Sequence, residues 1–220
     1  MPHVYPIFLD VSWRKVVIVG GGAVAARKAA GLLAAGAGYV RAVAGKFVQD
    51  FPAAIEKRVA DFQPADLDGA ELVFAASDSA AVNDAVVAEA RRRGILVQRG
   101  DAEEDHEPGD FVLPAVLRCG PIVVAVSAGG SPALAAALRD ALAGSVSDDW
   151  VNLAAACKQL RPKIRNSGLP IARRREIFRA LATTDAATAL KSGGMAGLCD
   201  WLRGKFNDLP DLTSPAEGAA

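Results

Sequence analysis

Residues 16 to 28 read Val16-Val17-Ile18-Val19-Gly20-Gly21-Gly22-Ala23-Val24-Ala25-Ala26-Arg27-Lys28, so that a β-branched run meets three glycines and then alanine-rich sequence. β-Branched residues favour strands and alanine favours helices. The spacing Gly20-x-Gly22-x-x-Ala25 matches the fingerprint of dinucleotide-binding turns. In that fingerprint Gly20 allows the tight turn, Gly22 lets the backbone approach a pyrophosphate, and Ala25 lets the helix pack close to the strand. The stretch therefore predicts a strand, a phosphate-binding turn and a helix.

The residue that usually binds the adenosine ribose is absent from its usual place. No Asp or Glu lies between Gly22 and Gln49, and the predicted second strand, residues 39–43, runs into Ala44-Gly45-Lys46. A carboxylate is usual there. Backbone contacts would then have to hold the ribose, and Arg41 or Lys46 could favour a 2′-phosphate. This pattern does not choose between NAD and NADP.

Strand and helix patterns alternate from residue 16 to residue 98, which predicts a parallel sheet with right-handed crossovers. Further strands are predicted at 71–76, 95–98, 111–117 and 122–126, and helices at 23–36, 80–93 and 133–142. Residues 47–60 carry apolar side chains at helical spacing and are also predicted to be a helix. Residues 150–201 are predicted to form helices, broken at 167–170 and 192–194.

Composition excludes several classes of protein. The chain has 220 residues, 51% of them hydrophobic and 23% charged, with zero formal net charge. Charge-driven binding to nucleic acid or a membrane is therefore not expected. No apolar run approaches the roughly 18 residues that span a bilayer, and residues 1–6 lack the pattern of a signal peptide. The three cysteines are far apart in sequence and are expected to be reduced, which favours a cytoplasmic location. No metal site is expected, because only His3 and His106 could supplement them.

Several stretches together resemble the precorrin-2 dehydrogenase / sirohydrochlorin ferrochelatase family, the N-terminal module of siroheme synthase. The resemblance covers about residues 5 to 205 and includes the glycine turn already quoted. Its other parts are Tyr5-Pro6-Ile7-Phe8-Leu9, Phe74-Ala75-Ala76-Ser77-Asp78, Asp110-Phe111-Val112-Leu113-Pro114-Ala115 and Gly120-Pro121-Ile122-Val123-Val124-Ala125-Val126-Ser127-Ala128-Gly129-Gly130-Ser131-Pro132-Ala133-Leu134-Ala135. The last of these is the most specific.

The resemblance implies an α/β protein in several parts. They are a Rossmann-like NAD-binding domain with a parallel sheet at 1–112, a small dimerisation segment at 113–149 and a helical C-terminal domain at 150–207. Independently of the resemblance, the sequence from Asp208, with Pro210 and Pro215, predicts a flexible tail at 208–220. It implies NAD-dependent oxidation of precorrin-2 to sirohydrochlorin by a homodimer. In some members of the family Fe²⁺ is then inserted to give siroheme.

The resemblance and the glycine pattern also nominate site residues. The cofactor-binding residues are expected to be Gly20, Gly22, Ala23, Val24, Ala25, Ala44, Gly45, Ser77 and Asp78. The family's catalytic aspartate, counted from the strand at 95–98, falls on Asp101. The following loop is longer than usual, so Asp105 is the alternative. Asp101 could equally be a solvated acid in a charged loop, and His106 in that loop is either inert or a proton carrier.

A second turn is expected to bind the substrate. Ser127, Gly129 and Gly130 precede a helix, so that backbone N–H groups there could hold a carboxylate of the tetrapyrrole. A purely structural strand-to-helix turn is the alternative. Arg173-Arg174-Arg175 could bind further carboxylates or form a solvated helix face.

Two other functions share the glycine turn. A non-catalytic NAD-binding regulatory module, as in ion-transport proteins, would have no reason to carry the sequence from Val126 to Pro132. A Rossmann oxidoreductase that acts on another substrate is the third hypothesis, and a test of turnover would distinguish it from a precorrin-2 dehydrogenase.

Overall fold

A computed structural model of the chain describes residues 4–100 and 109–212. The chain divides into two compact units, residues 2–113 and residues 114–220. The first unit is an α/β structure, and the second combines a two-stranded sheet with helices.

The first unit is built on a parallel sheet of five strands in the order β3-β2-β1-β4-β5. The predicted Rossmann-like parallel sheet is thereby confirmed, and this order of strands places the crossover point beside β1, where such folds bind their ligands. The strands are β1 (Lys15–Val19), β2 (Tyr39–Ala44), β3 (Glu56–Val59), β4 (Leu72–Ala75) and β5 (Leu96–Arg99), with helices α1 (Ala23–Ala34) and α2 (Ala80–Arg92) and a 3₁₀ turn at Pro64–Leu67.

The sheet is apolar on both faces because helices cover both. Val16 and Ile18 belong to the core under α1, together with Ala25 and Ala29. Val17 and Val19 point to the opposite face, into the core beneath α2. Alternate residues of one strand thus enter two different cores, which explains why the central strands are continuous apolar runs rather than alternating ones.

The predicted helix at residues 47–60 is wrong. Phe47 and Phe51 do pack together, with ring centroids 4.8 Å apart, but they do so from turns closed by bonds such as Phe51 N–H to Val48 O at 3.1 Å. Residues 56–59 form β3, an edge strand in which none of the four residues is buried. Charged edge strands carry little apolar pattern, so the spacing of the phenylalanines gave a false helical period.

The second unit begins with an antiparallel pair, β6 (Ala115–Cys119) and β7 (Ile122–Val126). The helices that follow are α3 (Pro132–Ala143), α4 (Asp148–Arg165), α5 (Ile171–Leu181) and α6 (Thr184–Lys205). Leucine and isoleucine side chains of the last three helices form one core. The break expected near 192–194 is present, since the backbone at Gly194 leaves helical geometry (φ 61°, ψ −156°).

The described start of the expected tail packs on the helices. Leu209 and Leu212 are buried in the helical core, and Asp208 accepts hydrogen bonds from Arg173 at 2.8–3.1 Å. Residues 208–212 therefore differ from the flexible segment that the sequence suggested.

Candidate functional site

The glycine turn between β1 and α1 is in tight contact with two neighbouring strand ends. Gly20 has φ 135°, and a Cβ atom there would lie 2.1 Å from the carbonyl oxygen of Ala76. A Cβ atom on Gly21 would lie 2.0 Å from the carbonyl oxygen of Lys46. The ends of β1, β2 and β4 thus meet at one point, which only residues without side chains allow.

Unlike Gly20 and Gly21, Gly22 is exposed, and a Cβ atom on it would meet no atom within 4 Å. It is the N-cap of α1, but no side chain caps that helix and no acidic residue lies in its first turn. By contrast α2 and α3 are capped by Ser79 and Ser131. The N–H groups at Ala23 to Ala25 therefore start an uncapped helix beside open space, which fits the pyrophosphate of a dinucleotide.

The predicted ribose-side residues lie next to this turn. The amide of Gly20 donates to Val43 O at 2.9 Å, and that of Val48 donates to Gly21 O at 2.8 Å. The segment containing Ala44 and Gly45 is therefore held against the glycine turn from both ends. Ala25 is fully buried and supports the helix, as the fingerprint predicts.

The loop after β4 is fixed by a residue that the sequence did not reveal. Asn83 on α2 is fully buried, and its side chain accepts from Ser77 N and donates to Ser77 O, both at 3.0 Å. A buried amide that satisfies both backbone groups of one residue holds that residue in a single position. Asp78 beside it is exposed. In the sequence, Asn83 follows the quoted run Phe74-Ala75-Ala76-Ser77-Asp78 after five residues, and this proximity was the only available signal.

Lys28 of α1 is a partly buried amine close to this edge of the sheet. Its Nζ donates to Gln98 Oε1 at 2.5 Å and lies 5.6 Å from the centroid of the Phe74 ring. Burial, with a smaller contribution from Arg27, lowers the pKa of Lys28 to about 8. Burial disfavours the charged amine because it removes water from it.

A Lys28→Met variant is expected to reveal this shift through the pH dependence of stability. Between pH 8 and about 10.4, the ordinary lysine pKa, the unfolded wild-type chain binds a proton that the native protein has lost. The unfolding free energy of the wild type should therefore rise with pH relative to the variant, by less than about 1.4 kcal/mol per pH unit because solvent screens this partly exposed amine. Urea unfolding at pH 7.5 to 10 measures it. Lys158→Met, which removes an exposed lysine, is the control variant, and a flat difference for Lys28→Met would contradict the assignment.

The end of β5 is anchored on both sides. The amide of Gly100 donates to Ala75 O at 2.7 Å, and the buried Arg99 donates to Asp84 Oδ1 at 2.5 Å. Asp101 follows Gly100 directly in sequence. Asp101, Asp105 and His106 themselves lie outside the described residues.

The turn expected to bind substrate belongs to the second unit. Gly129 and Gly130 have φ of 53° and 81°, and α3 begins two residues later. Ser127 and both glycines are exposed. Glycine is required here because other residues rarely adopt positive φ.

Of the arginines proposed for carboxylate binding, Arg173 already binds carboxylates of this chain. It pairs with Glu176 and Asp208, both at 2.8 Å, and Arg174 donates to Arg165 O at 2.7 Å. Arg175 is exposed. Arg173 and Arg174 therefore already bond to other residues of the helical part of the chain.

Within residues 4–100 and 109–212, no three His, Cys, Asp or Glu side chains are grouped so that they could hold a metal ion. Among the helices of the same residues, none is both long enough and apolar enough to cross a membrane.

Comparison with known proteins gives three results. Residues 7–115 match a family model described as "Putative NAD(P)-binding". Siroheme synthase of Chromobacterium violaceum is 34% identical over 198 residues, covering 87% of this chain and 41% of that protein. Siroheme synthase of Nitrosomonas eutropha is 38% identical over 168 residues, covering 73% and 34%. The chain thus spans less than half the length of these relatives.

A solved structure has the same fold over nearly the whole chain. SirC, a precorrin-2 dehydrogenase, superposes with a TM-score of 0.70 at 20% identity, covering 91% of this chain and 100% of that one. The likeness includes both units of the present chain and establishes the fold.

Proposed function

We propose that this chain, which belongs to the precorrin-2 dehydrogenase / sirohydrochlorin ferrochelatase family of siroheme synthase N-terminal modules, oxidises precorrin-2 to sirohydrochlorin with NAD. The observation that carries the proposal is the uncapped, open N-terminus of α1 at Gly22. The chain that carries this N-terminus aligns with a siroheme synthase over 87% of the chain's own length.

Different residues bind the cofactor and accept the proton. NAD supplies the hydride acceptor when it is bound. The N–H groups of Ala23 to Ala25 hold its pyrophosphate, and the Ser77 loop, fixed by Asn83, borders it on the far side. Asp101 takes the proton that leaves the tetrapyrrole as the hydride departs, so that two electrons and two hydrogens are removed in all.

The substrate's carboxylates are proposed to bind at the turn Ser127 to Gly130. Its exposed glycines present backbone N–H groups to an anion, whereas the N–H groups of Ser131 and Leu134 are already bonded to Ala128 O and Ser131 Oγ. Fe²⁺, where it is inserted, would be held by the tetrapyrrole nitrogens, since the described residues offer no metal-binding cluster.

The second unit also supports a homodimer. Leu134, Leu138 and Leu142 follow one another at intervals of four residues on α3 and are 52%, 43% and 43% exposed. Only Ala135 of that helix is buried. A leucine stripe left in water is typical of a surface that a partner covers, and we assign it to a second copy of this chain. Light scattering should give twice the mass of one chain.

The activity is tested by absorbance after the protein is mixed with enzymatically generated precorrin-2 under anaerobic conditions. Sirohydrochlorin is expected to form when NAD is present and not when it is omitted. Addition of Fe²⁺ tests the second reaction, which predicts a further shift to siroheme faster than without protein. If NAD binds and neither spectrum develops, the chain is a nucleotide-binding module without this activity.

A further inference from the structure

Near the place where the adenosine ribose would bind, the structure has a carboxylate that the sequence pattern does not indicate. In most such folds the ribose-binding acid ends the second strand. Here β2 ends at Ala44, and Gly45 and Lys46 follow. Arg41, which could have favoured a 2′-phosphate, is ion-paired with Glu56 at 2.9 Å. The second strand itself therefore provides neither an acid nor an unpaired arginine.

The segment that follows the neighbouring strand β3 provides the acid instead. β3 runs parallel to β2, with Ala44 paired to Val59, and the amide of Ala60 donates to Ala44 O at 3.1 Å. Asp61 comes next. A Cβ atom built on Gly45 would lie 3.8 Å from Asp61 Oδ1, so this carboxylate stands beside the backbone that follows β2.

Asp61 is exposed, and within residues 4–100 and 109–212 its carboxylate has no hydrogen bond or ion pair. By contrast, the acids five residues before and after it form ion pairs. Glu56 pairs with Arg41, and Asp66 pairs with Arg58 at 2.6 Å. An exposed carboxylate without a partner can accept hydrogen bonds from a ligand without first breaking others.

The position of Gly45 connects Asp61 to the glycine turn. Gly45 lies between Val43, which accepts from Gly20 N, and Val48, which donates to Gly21 O. A dinucleotide with its pyrophosphate at Gly22 extends its adenosine toward the end of β2. Its ribose would then come to the place where Asp61 and Gly45 meet.

We propose that Asp61 accepts hydrogen bonds from the hydroxyls of the adenosine ribose and repels a 2′-phosphate, so that the protein prefers NAD to NADP. The proposal rests on the proposed function in one respect only, namely that a dinucleotide binds at the glycine turn. The carboxylate comes from the segment that follows β3, and it lies beside the backbone of Gly45.

Calorimetric titration with NADH and with NADPH tests the proposal without an activity assay. The wild type is expected to bind NADH more tightly. Asp61→Asn should weaken NADH binding on the order of tenfold, because hydrogen bonds to a charged acceptor are lost. The same variant should bind NADPH more tightly than the wild type does. Asp50→Asn, which removes an exposed acid from the segment after β2, is the matched control and should change neither constant.

A second variant tests the geometry. Gly45 does not have positive φ and has space for a side chain, so Gly45→Asp in the Asp61→Asn background should restore the preference for NADH. Unchanged constants in Asp61→Asn, or an equal loss for both dinucleotides, would overturn the assignment while leaving the proposed function in place. A wild type that binds neither dinucleotide would overturn both.

Discussion

Gly21→Ala is expected to destabilise the nucleotide-binding unit strongly, whereas Gly22→Ala, one residue further on, should leave the fold intact and weaken cofactor binding. The methyl group on residue 21 would lie 2.0 Å from Lys46 O and 2.9 Å from the Ala44 side chain. Backbone must move to relieve such a contact, at a cost of about 3 kcal/mol or more. That is a large part of the roughly 5–15 kcal/mol that stabilises a whole domain.

The neighbouring methyl group meets nothing in the protein. Residue 22 has φ −82°, which alanine adopts readily, and a Cβ atom there has no neighbour within 4 Å. The unfolding free energy of Gly22→Ala should therefore stay within about 1 kcal/mol of wild type, the main cost being that alanine is a poorer N-cap than glycine. The methyl group does occupy the space through which the pyrophosphate would approach the start of α1. NADH affinity should fall by at least about tenfold.

Thermal unfolding followed by circular dichroism, together with calorimetric titration of NADH, separates the two effects. Wild-type NADH affinity in Gly22→Ala would show that the pyrophosphate does not lie at this turn. A wild-type unfolding temperature in Gly21→Ala would show that the close approach of Lys46 is wrong. The pair thus distinguishes a glycine needed for folding from one needed for the ligand.

The central part of the fold could be predicted because its residues are constrained locally. β1 enters two cores through alternate residues, so the sequence from Val16 to Val19 is apolar throughout. Gly20 follows with a backbone conformation that other residues rarely adopt. Ser79 and Ser131 mark the starts of α2 and α3 with side-chain caps. Each feature leaves its own signal in a few adjacent residues.

What the sequence could not predict depends on contacts between distant segments. β3 is an exposed edge strand without apolar pattern, and the real packing of Phe47 against Phe51 imitated a helix. Asn83 fixes Ser77 from six residues away, and Asp61 reaches Gly45 only because β3 lies beside β2. No local period encodes such relations.

Asp101→Asn is expected to lower the rate of sirohydrochlorin formation by at least the roughly 10²-fold that a lost acid or base costs. The residue before it in sequence, Gly100, is described. Gly100 is bonded to Ala75 O, and Gly20 lies against Ala76, so Gly100 lies at the carboxyl edge of the sheet beside the glycine turn. Ligands of open α/β sheets bind along this edge.

Single-turnover absorbance with precorrin-2 and NAD measures the rate, and NADH titration shows that binding is retained. The asparagine has nearly the same shape as aspartate but accepts no proton at neutral pH, so a loss of rate with unchanged NADH affinity identifies proton transfer as the step affected. Asp105→Asn is the matched comparison, being an aspartate four residues further along the sequence. A normal rate in Asp101→Asn with a slow Asp105→Asn would transfer the catalytic role to Asp105. Normal rates in both would mean that neither carboxylate takes the proton, because an essential base cannot be removed without slowing the reaction that it serves.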